Sequence, residues 1–317
     1  MTLAGSPVLS GLRTGVIATV RVPATSANLG PGFDSLGLAL AVHNVIRLSV
    51  AGSGLEISVQ GDGAEAIPRT EQHLVVRAIR AGLDHAGVPQ PGLRLSCDNR
   101  VPHGRGLGSS AAAVVAGLVA ARGLLSDPEL LDDAAVLALA TALEGHPDNA
   151  AAALFGGCTI SWLAGNGAPR AERLEVRADL DPVVCVPAVE VVTSTARAML
   201  PVTVTHADAA FNAGRAALLV QALSRRPDLL LEATQDRLHQ AQRAAAMPDT
   251  ADLLQRVRDL GGAAVVSGAG PSLLVLGAGP VPLAAVTAAL ADSGIDRWTV
   301  LRPGIDTVGA LLATEGE

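Results

Sequence analysis

Glycine occupies every second position from Gly104 to Gly108 within Pro102-His103-Gly104-Arg105-Gly106-Leu107-Gly108-Ser109-Ser110-Ala111-Ala112, and an Ala-rich helical stretch follows at once. No other run restricts the possible folds so strongly, because it demands a tight turn that opens directly into a helix. Two readings fit such a turn. Glycines let a backbone approach an anion closely, and the helix start offers unpaired N–H groups and a positive dipole end, which makes a phosphate cradle. The same residues also make an ordinary strand-to-helix turn with Ser109 as N-cap. Ser109 and Ser110 add hydroxyls able to reach phosphate oxygens or a divalent metal.

Two other nucleotide motifs are excluded. A P-loop ends in Gly-Lys-Ser/Thr, which occurs nowhere in the chain. Gly106 to Ala111 satisfies the Ala-ending dinucleotide fingerprint, but a Rossmann unit needs a second strand after the helix, and Glu129 to Glu144 reads as another helix.

At 317 residues the chain is long enough for two packed domains and a cleft. Hydrophobic residues make up 49% but aromatics only 2%, so Ala, Val and Leu must build the core. The net charge of −7, with no basic block, offers nothing to a nucleic-acid backbone or an anionic membrane. Cys97, Cys158 and Cys185 lie far apart without zinc or disulfide spacing and read as reduced, mostly buried thiols. The first residues lack a signal-peptide pattern, which places the protein in the cytoplasm. Gly261 to Ala291 is uncharged over 31 residues, yet its glycines and prolines cut it into pieces too short to span a membrane.

Strands are expected over Val16–Val22 and Leu38–Val50, and helices over Leu74–His85, Ser109–Leu124 and Glu129–Glu144, the last capped by Asp127. From Cys158 short strands return, followed by helical stretches at Ala207–Ser224 and Leu229–Ala246, two strands and a helix near Val281–Asp292. The class is α+β. A seam is expected at Gly165–Arg173, giving domains of residues 1–170 and 171–317, with a second candidate near Asp179–Pro182.

Three further clusters carry candidate chemistry. Pro23 to Asp34 is a loop of small residues in which Asp34 can bind an ammonium or simply close a turn. Glu144-Gly145-His146-Pro147-Asp148-Asn149 ends a helix at Gly145, with His146 and Asp148 as possible caps. Gly261 to Ser272 is a Gly-rich turn between apolar strands.

In this order along the chain, the four segments resemble the GHMP small-molecule kinases. The branch that they resemble, through the pairing of ANLGPGFD with EGHPDN, TSTAR and LHQAQR, acts on a hydroxy amino acid. The resemblance implies an N-terminal domain like the second domain of ribosomal protein S5, a ferredoxin-like C-terminal domain, and ATP with Mg²⁺ in the groove between them. Pro102 to Ala112 matches the ATP loop, with Ser110 on the metal. Asn28 and Asp34 match positions that hold a substrate amino group, Arg197 and Arg243 those that clamp its carboxylate, and Thr193 and His146 further lining positions. Asn149 stands where many relatives carry an Asp base, and orients the reacting hydroxyl. A homodimer is implied as well.

The chain departs from the family pattern at three places. Ala138 replaces a metal-binding Glu eight residues before His146, leaving Mg²⁺ to Ser110, phosphates and waters, with Glu144 a poorly placed helper. His73 replaces an Asn near the adenine, and Ala241-Gln242 replaces Pro-Tyr before Arg243. The competing readings are a GHMP kinase for mevalonate or a sugar, and a silent nucleotide-binding relative.

Overall fold

The computed structural model describes residues 10–191, 193–291 and 297–316. Two sheets organise them. The first contains β1 (Val16–Ala27), β2 (Leu36–Ala51), β3 (Leu55–Gly61), β4 (Gly92–Asn99), β5 (Cys158–Leu163), β6 (Pro169–Leu174) and β11 (Leu311–Gly316). Its order is β11-β1-β2-β4-β3, with β5 added to the start of β2 and β6 paired to β5. Register slips between Pro23 and Ala24, where proline has no N–H for the ladder, and the strand resumes to Ala27. The expected loop from Pro23 therefore shrinks to the few residues between β1 and β2.

On this sheet lie α1 (Leu74–His85), α2 (Ser109–Leu124), α3 (Asp133–Glu144) and α4 (Asp148–Phe155). The core helix α2 is buried on nearly every side, which is why its apolar residues show no stripe and its side chains are mostly Ala and Val. The single helix expected over Glu129–Glu144 divides. Asp127 caps a 3₁₀ turn, Pro128–Leu131, and Asp132 starts α3 by accepting from the Ala135 N–H at 2.8 Å.

The second sheet contains β7 (Val183–Pro187), β8 (Ala263–Val266), β9 (Leu273–Leu276) and β10 (Trp298–Leu301) in the antiparallel order β10-β7-β9-β8. Numbered along the chain this is 4-1-3-2, the ferredoxin-like arrangement. Between β7 and β8 run α5 (Thr193–Ala198), α6 (His206–Ser224), α7 (Leu230–Ala233), α8 (Gln240–Arg243) and α9 (Pro248–Asp259), and α10 (Val281–Ala291) follows β9. Asp292, the expected end of that last helix, lies outside the described residues.

The uninterrupted helix expected over Leu229–Ala246 does not form. Asp236 accepts from the backbone N–H groups of Leu238, His239 and Gln240, which turns the chain after α7. Helix α9, opened by Pro248 at its first turn, was not read from the sequence.

Alternation explains the uncharged strands. Ala263, Val265, Leu274 and Leu276 face a core shared with Ala24, Leu38 and Leu40 of the first sheet, while Ala264, Val266, Leu273 and Val275 face a second core beneath α9 and α10. Among the described residues no helix is long and apolar enough to cross a membrane. All three cysteines are buried free thiols, and burial pushes each up to about 12.

Gly165–Arg173 is the turn and far strand of the β5–β6 hairpin, so sheet membership changes later, between Leu174 and Val183. β11 then returns to the first sheet beside β1. A cut after residue 170 would split β6 and separate β11 from its partner.

Candidate active site

The glycine-rich loop opens α2 as expected, but its N-cap is Gly108 in the left-handed conformation (φ 64°) and not Ser109. Among the described residues no side chain caps the helix, so its first N–H groups stand available to an anion. A Cβ on Gly108 would collide with Thr25 Oγ1 and lie 3.0 Å from Asn149 Oδ1; one on Gly106 would lie 2.6 Å from the Gly270 carbonyl oxygen. Backbone and hydroxyls from elsewhere hold the loop. Ser267 Oγ donates to the Gly106 carbonyl (2.7 Å), the Ser272 N–H to that of Arg105 (3.2 Å), and the Thr25 N–H to that of Leu107 (3.0 Å). The Gly261–Ser272 hairpin is thus the loop's support. Arg105 pairs with Glu190 at 2.8 Å, and Ala111 and Ala112 are core residues of α2.

At the helix start, Ser110 Oγ donates to Glu144 Oε1 at 2.6 Å. Burial raises the Glu144 pKa above the ordinary carboxylate value. Glu144 is the last residue of α3, and Ala138, further back on the same helix, faces solvent. A carboxylate therefore stands against Ser110 at position 144, where position 138 has none to offer. Hydroxyl plus carboxylate is an all-oxygen donor pair of the kind Mg²⁺ takes.

The same cavity, about 260 Å³, is lined on its other side by Asn28, Asp34, His146, Asn149, Arg197 and Arg243. Asn28 and Asp34 adopt positive φ (69° and 54°), unusual for non-glycine residues and held here by contacts. Asn28 Nδ2 donates to the Gly268 carbonyl (2.8 Å) and its Oδ1 accepts from the Asp34 N–H (3.0 Å). Arg197 donates from both terminal nitrogens to Asp34, at 2.8 and 3.2 Å. Thr193 begins the same short helix, and its side chain lies outside the described residues.

Arg243 is buried at 2% exposure. Its Nε donates to the Ala196 carbonyl (3.3 Å) and Nη1 to the Gly268 carbonyl (3.2 Å). Burial and then the nearby Arg197 push its pKa down from the usual guanidinium value. Phe33 lies under both guanidinium groups, at 5.8 Å from Arg197 and 5.6 Å from Arg243.

Asp148, 1% exposed, accepts from His146 Nδ1 (2.8 Å) and from the Asn149 N–H (2.7 Å), and that hydrogen bond is the first cause of a raised His146 pKa. Asp34, His146 and Asp148 bring ligand atoms within 4.8 Å of one another, a spot suited to a cation. Asn149 Oδ1 accepts from the buried Thr25 hydroxyl at 2.8 Å, and its amide nitrogen, which donates one hydrogen to Asp148 Oδ1 at 3.4 Å, keeps a second hydrogen to donate. Thr25, Phe33, His239 and Ser267 were not singled out from the sequence, although each sits inside a motif that was. His73 caps α1 by accepting from the Val75 N–H, and its buried Nε2 has no hydrogen-bond partner among the described residues.

Residues 73–157 match the model of the GHMP kinases N-terminal domain, and residues 210–296 that of the GHMP kinases C-terminal domain. The chain is 55% identical over 292 residues to a homoserine kinase of Streptomyces coelicolor, covering 92% of this chain and 93% of that protein. It is 50% identical over 309 residues to a homoserine kinase of Clavibacter michiganensis, covering 97% and 98% respectively. The solved homoserine kinase of Cytophaga hutchinsonii aligns with a TM-score of 0.80 at 26% identity, over 94% of this chain and 97% of that one. The chain belongs to the GHMP kinases, enzymes whose cosubstrate is ATP. Within them it falls in the homoserine kinase family.

Proposed function

We propose that this enzyme transfers the γ-phosphoryl group of ATP to the side-chain hydroxyl of L-homoserine, giving O-phospho-L-homoserine and ADP on the way to threonine. The observation that carries this reading is the meeting of Asp34 with Arg197 and the buried Arg243 in one cavity whose opposite wall is the glycine-rich helix start. A zwitterion satisfies those charges as a sugar or mevalonate would not. Its ammonium replaces the Arg197 guanidinium on Asp34, and its carboxylate replaces Asp34 on Arg197 while meeting Arg243. Asn28 shapes the loop behind Asp34, and His146 and Thr193 line the remainder.

The phosphates sit against the N–H groups at the start of α2, and Ser110 with Glu144 would hold Mg²⁺, which supplies charge neutralisation to them. Asn149, its oxygen occupied by Thr25, donates from its amide to the reacting hydroxyl and takes no proton. The substrate oxygen bonds phosphorus in line as the bond to the ADP oxygen breaks, and the hydroxyl proton passes to an oxygen of the transferred phosphoryl group. Such a reaction depends on positioning and charge neutralisation more than on a strong base. Family resemblance supports Mg²⁺ dependence, a homodimer, a cytoplasmic location and two domains, the first holding the ATP loop. Ala138 no longer favours a silent relative, because Glu144 stands in contact with Ser110.

The test is a coupled ADP-release assay with ATP, Mg²⁺ and L-homoserine, run beside L-threonine, L-serine and mevalonate. Homoserine is expected to dominate. Absence of homoserine turnover while ATP still binds would overturn the reading.

A further inference from the structure

His239 stands before α8 with no exposure to solvent, and neither end of its ring is idle. Nε2 lies 2.8 Å from the Gly30 carbonyl oxygen, which can only accept, so Nε2 carries a hydrogen. Nδ1 lies 3.2 Å from Arg243 Nη1, which can only donate, so Nδ1 presents a lone pair. The ring also packs on Phe33, with centroids 5.1 Å apart. Asp236 Oδ2 comes within 3.8 Å of Nε2, but that carboxylate is committed to the N–H groups of Leu238, His239 and Gln240. Burial outweighs it and holds the His239 pKa below the ordinary value.

Arg243 is thereby held on three sides: Ala196 at Nε, and Gly268 and His239 at Nη1. Among the described residues Nη2 has no such partner, and the side chain lines the cavity. We infer that His239 is a positioning residue: as the neutral Nε2–H tautomer it orients Arg243 so that Nη2 meets the substrate carboxylate, and it ties that arginine to the loop bearing Asp34. Gly30 lies in that loop, four residues before Asp34, and its carbonyl fixes the hydrogen on Nε2, which leaves Nδ1 as the acceptor for Arg243. The inference rests on the proposed role of Arg243 and deepens it.

Two replacements divide the two contacts. His239→Asn places an acceptor oxygen on Cγ, where Nδ1 was, keeping the bond to Arg243 and losing that to Gly30. His239→Gln places its amide nitrogen near the Nε2 position, keeping Gly30 and losing Arg243. Losing one such bond corresponds to about a tenfold effect. His239→Gln is expected to raise KM for L-homoserine about tenfold, with kcat within about threefold and KM for ATP unchanged. His239→Asn should stay within about threefold of wild type in KM. A space-filling role alone predicts the reverse order, because Asn leaves the larger void. In an Arg243→Ala background the effect of His239→Gln should fall below about twofold.

An effect that persists without Arg243, or that is larger for Asn than for Gln, overturns the inference. A second measurement uses ¹⁵N imidazole spectra: because His73 is also buried with Nδ1 as acceptor, the ring of interest is the one whose signals vanish in His239→Gln, and it should be non-titrating and in the neutral Nε2–H form; any other form sinks the inference. Wild type that fails to turn over homoserine would instead count against the substrate reading.

Discussion

The two walls of the cavity are built by opposite means. On the side proposed for the nucleotide one contiguous segment presents backbone N–H groups, and its geometry depends on glycine at positions 106 and 108. On the side proposed for the substrate single side chains arrive from positions 34, 149, 197 and 243, each held by hydrogen bonds to other segments. A backbone site tolerates no added atom but is encoded locally. A side-chain site can be retuned one residue at a time, but it exists only once distant parts of the chain have met.

The sharpest break of this contrast is Gly108→Ala. With Thr25 Oγ1 in the way, the loop must move, and displacement of about 1 Å costs on the order of 10²-fold in kcat/KM. A variant retaining activity within tenfold in the ADP-release assay would show that the nucleotide wall is less rigid than described. Arg243→Ala comes next: loss of a charged hydrogen bond, about 1.5–3 kcal/mol, should raise KM for homoserine about 10- to 100-fold and leave KM for ATP alone. Equal damage to both constants would mean that the walls are not separate.

Glu144→Gln sharpens the metal corner. It should weaken apparent Mg²⁺ affinity by about tenfold, as titration of the rate with Mg²⁺ would show. Because burial raises the Glu144 pKa, the wild-type Mg²⁺ requirement should steepen as pH falls through a value above 4.5, and Glu144→Gln should remove that dependence. The smallest effect concerns His146. Its raised pKa means that protonation favours the folded state, so the stabilisation is fully present below the ordinary value of 6.5 and is lost as pH rises through the raised one. Its size should be about 1 kcal/mol or less, read as a melting-temperature gap between wild type and His146→Gln that narrows from pH 6 to pH 9.

Those two modes of construction also decide what could be read without coordinates. Helices α1 and α2 were legible to the residue because the apolar spacing of the first and the glycine turn that opens the second are local signals, although the Ser109 cap expected for the second is not made. The break at Asp236 was not, since an Asx turn and a continuing helix differ only in where one carboxylate points. For the site, the order of motifs named Asp34, Arg197 and Arg243, but Glu144 was undervalued. Spacing in sequence measures distance along α3, whereas contact with Ser110 depends on how the end of α3 packs against α2. Thr25 and His239 were passed over for the same reason, because their partners lie 124 and 209 residues away.

The late return of β11 to the edge of β1 bears on how this chain comes into being. The strand that completes the first sheet is made only after every strand of the second. During synthesis the β1 edge therefore stands open to any passing strand until residues 311–316 emerge, which is the interval of greatest risk of aggregation. Once those residues dock, the β1 edge is paired along Val16–Arg21 and no longer offers itself to another chain.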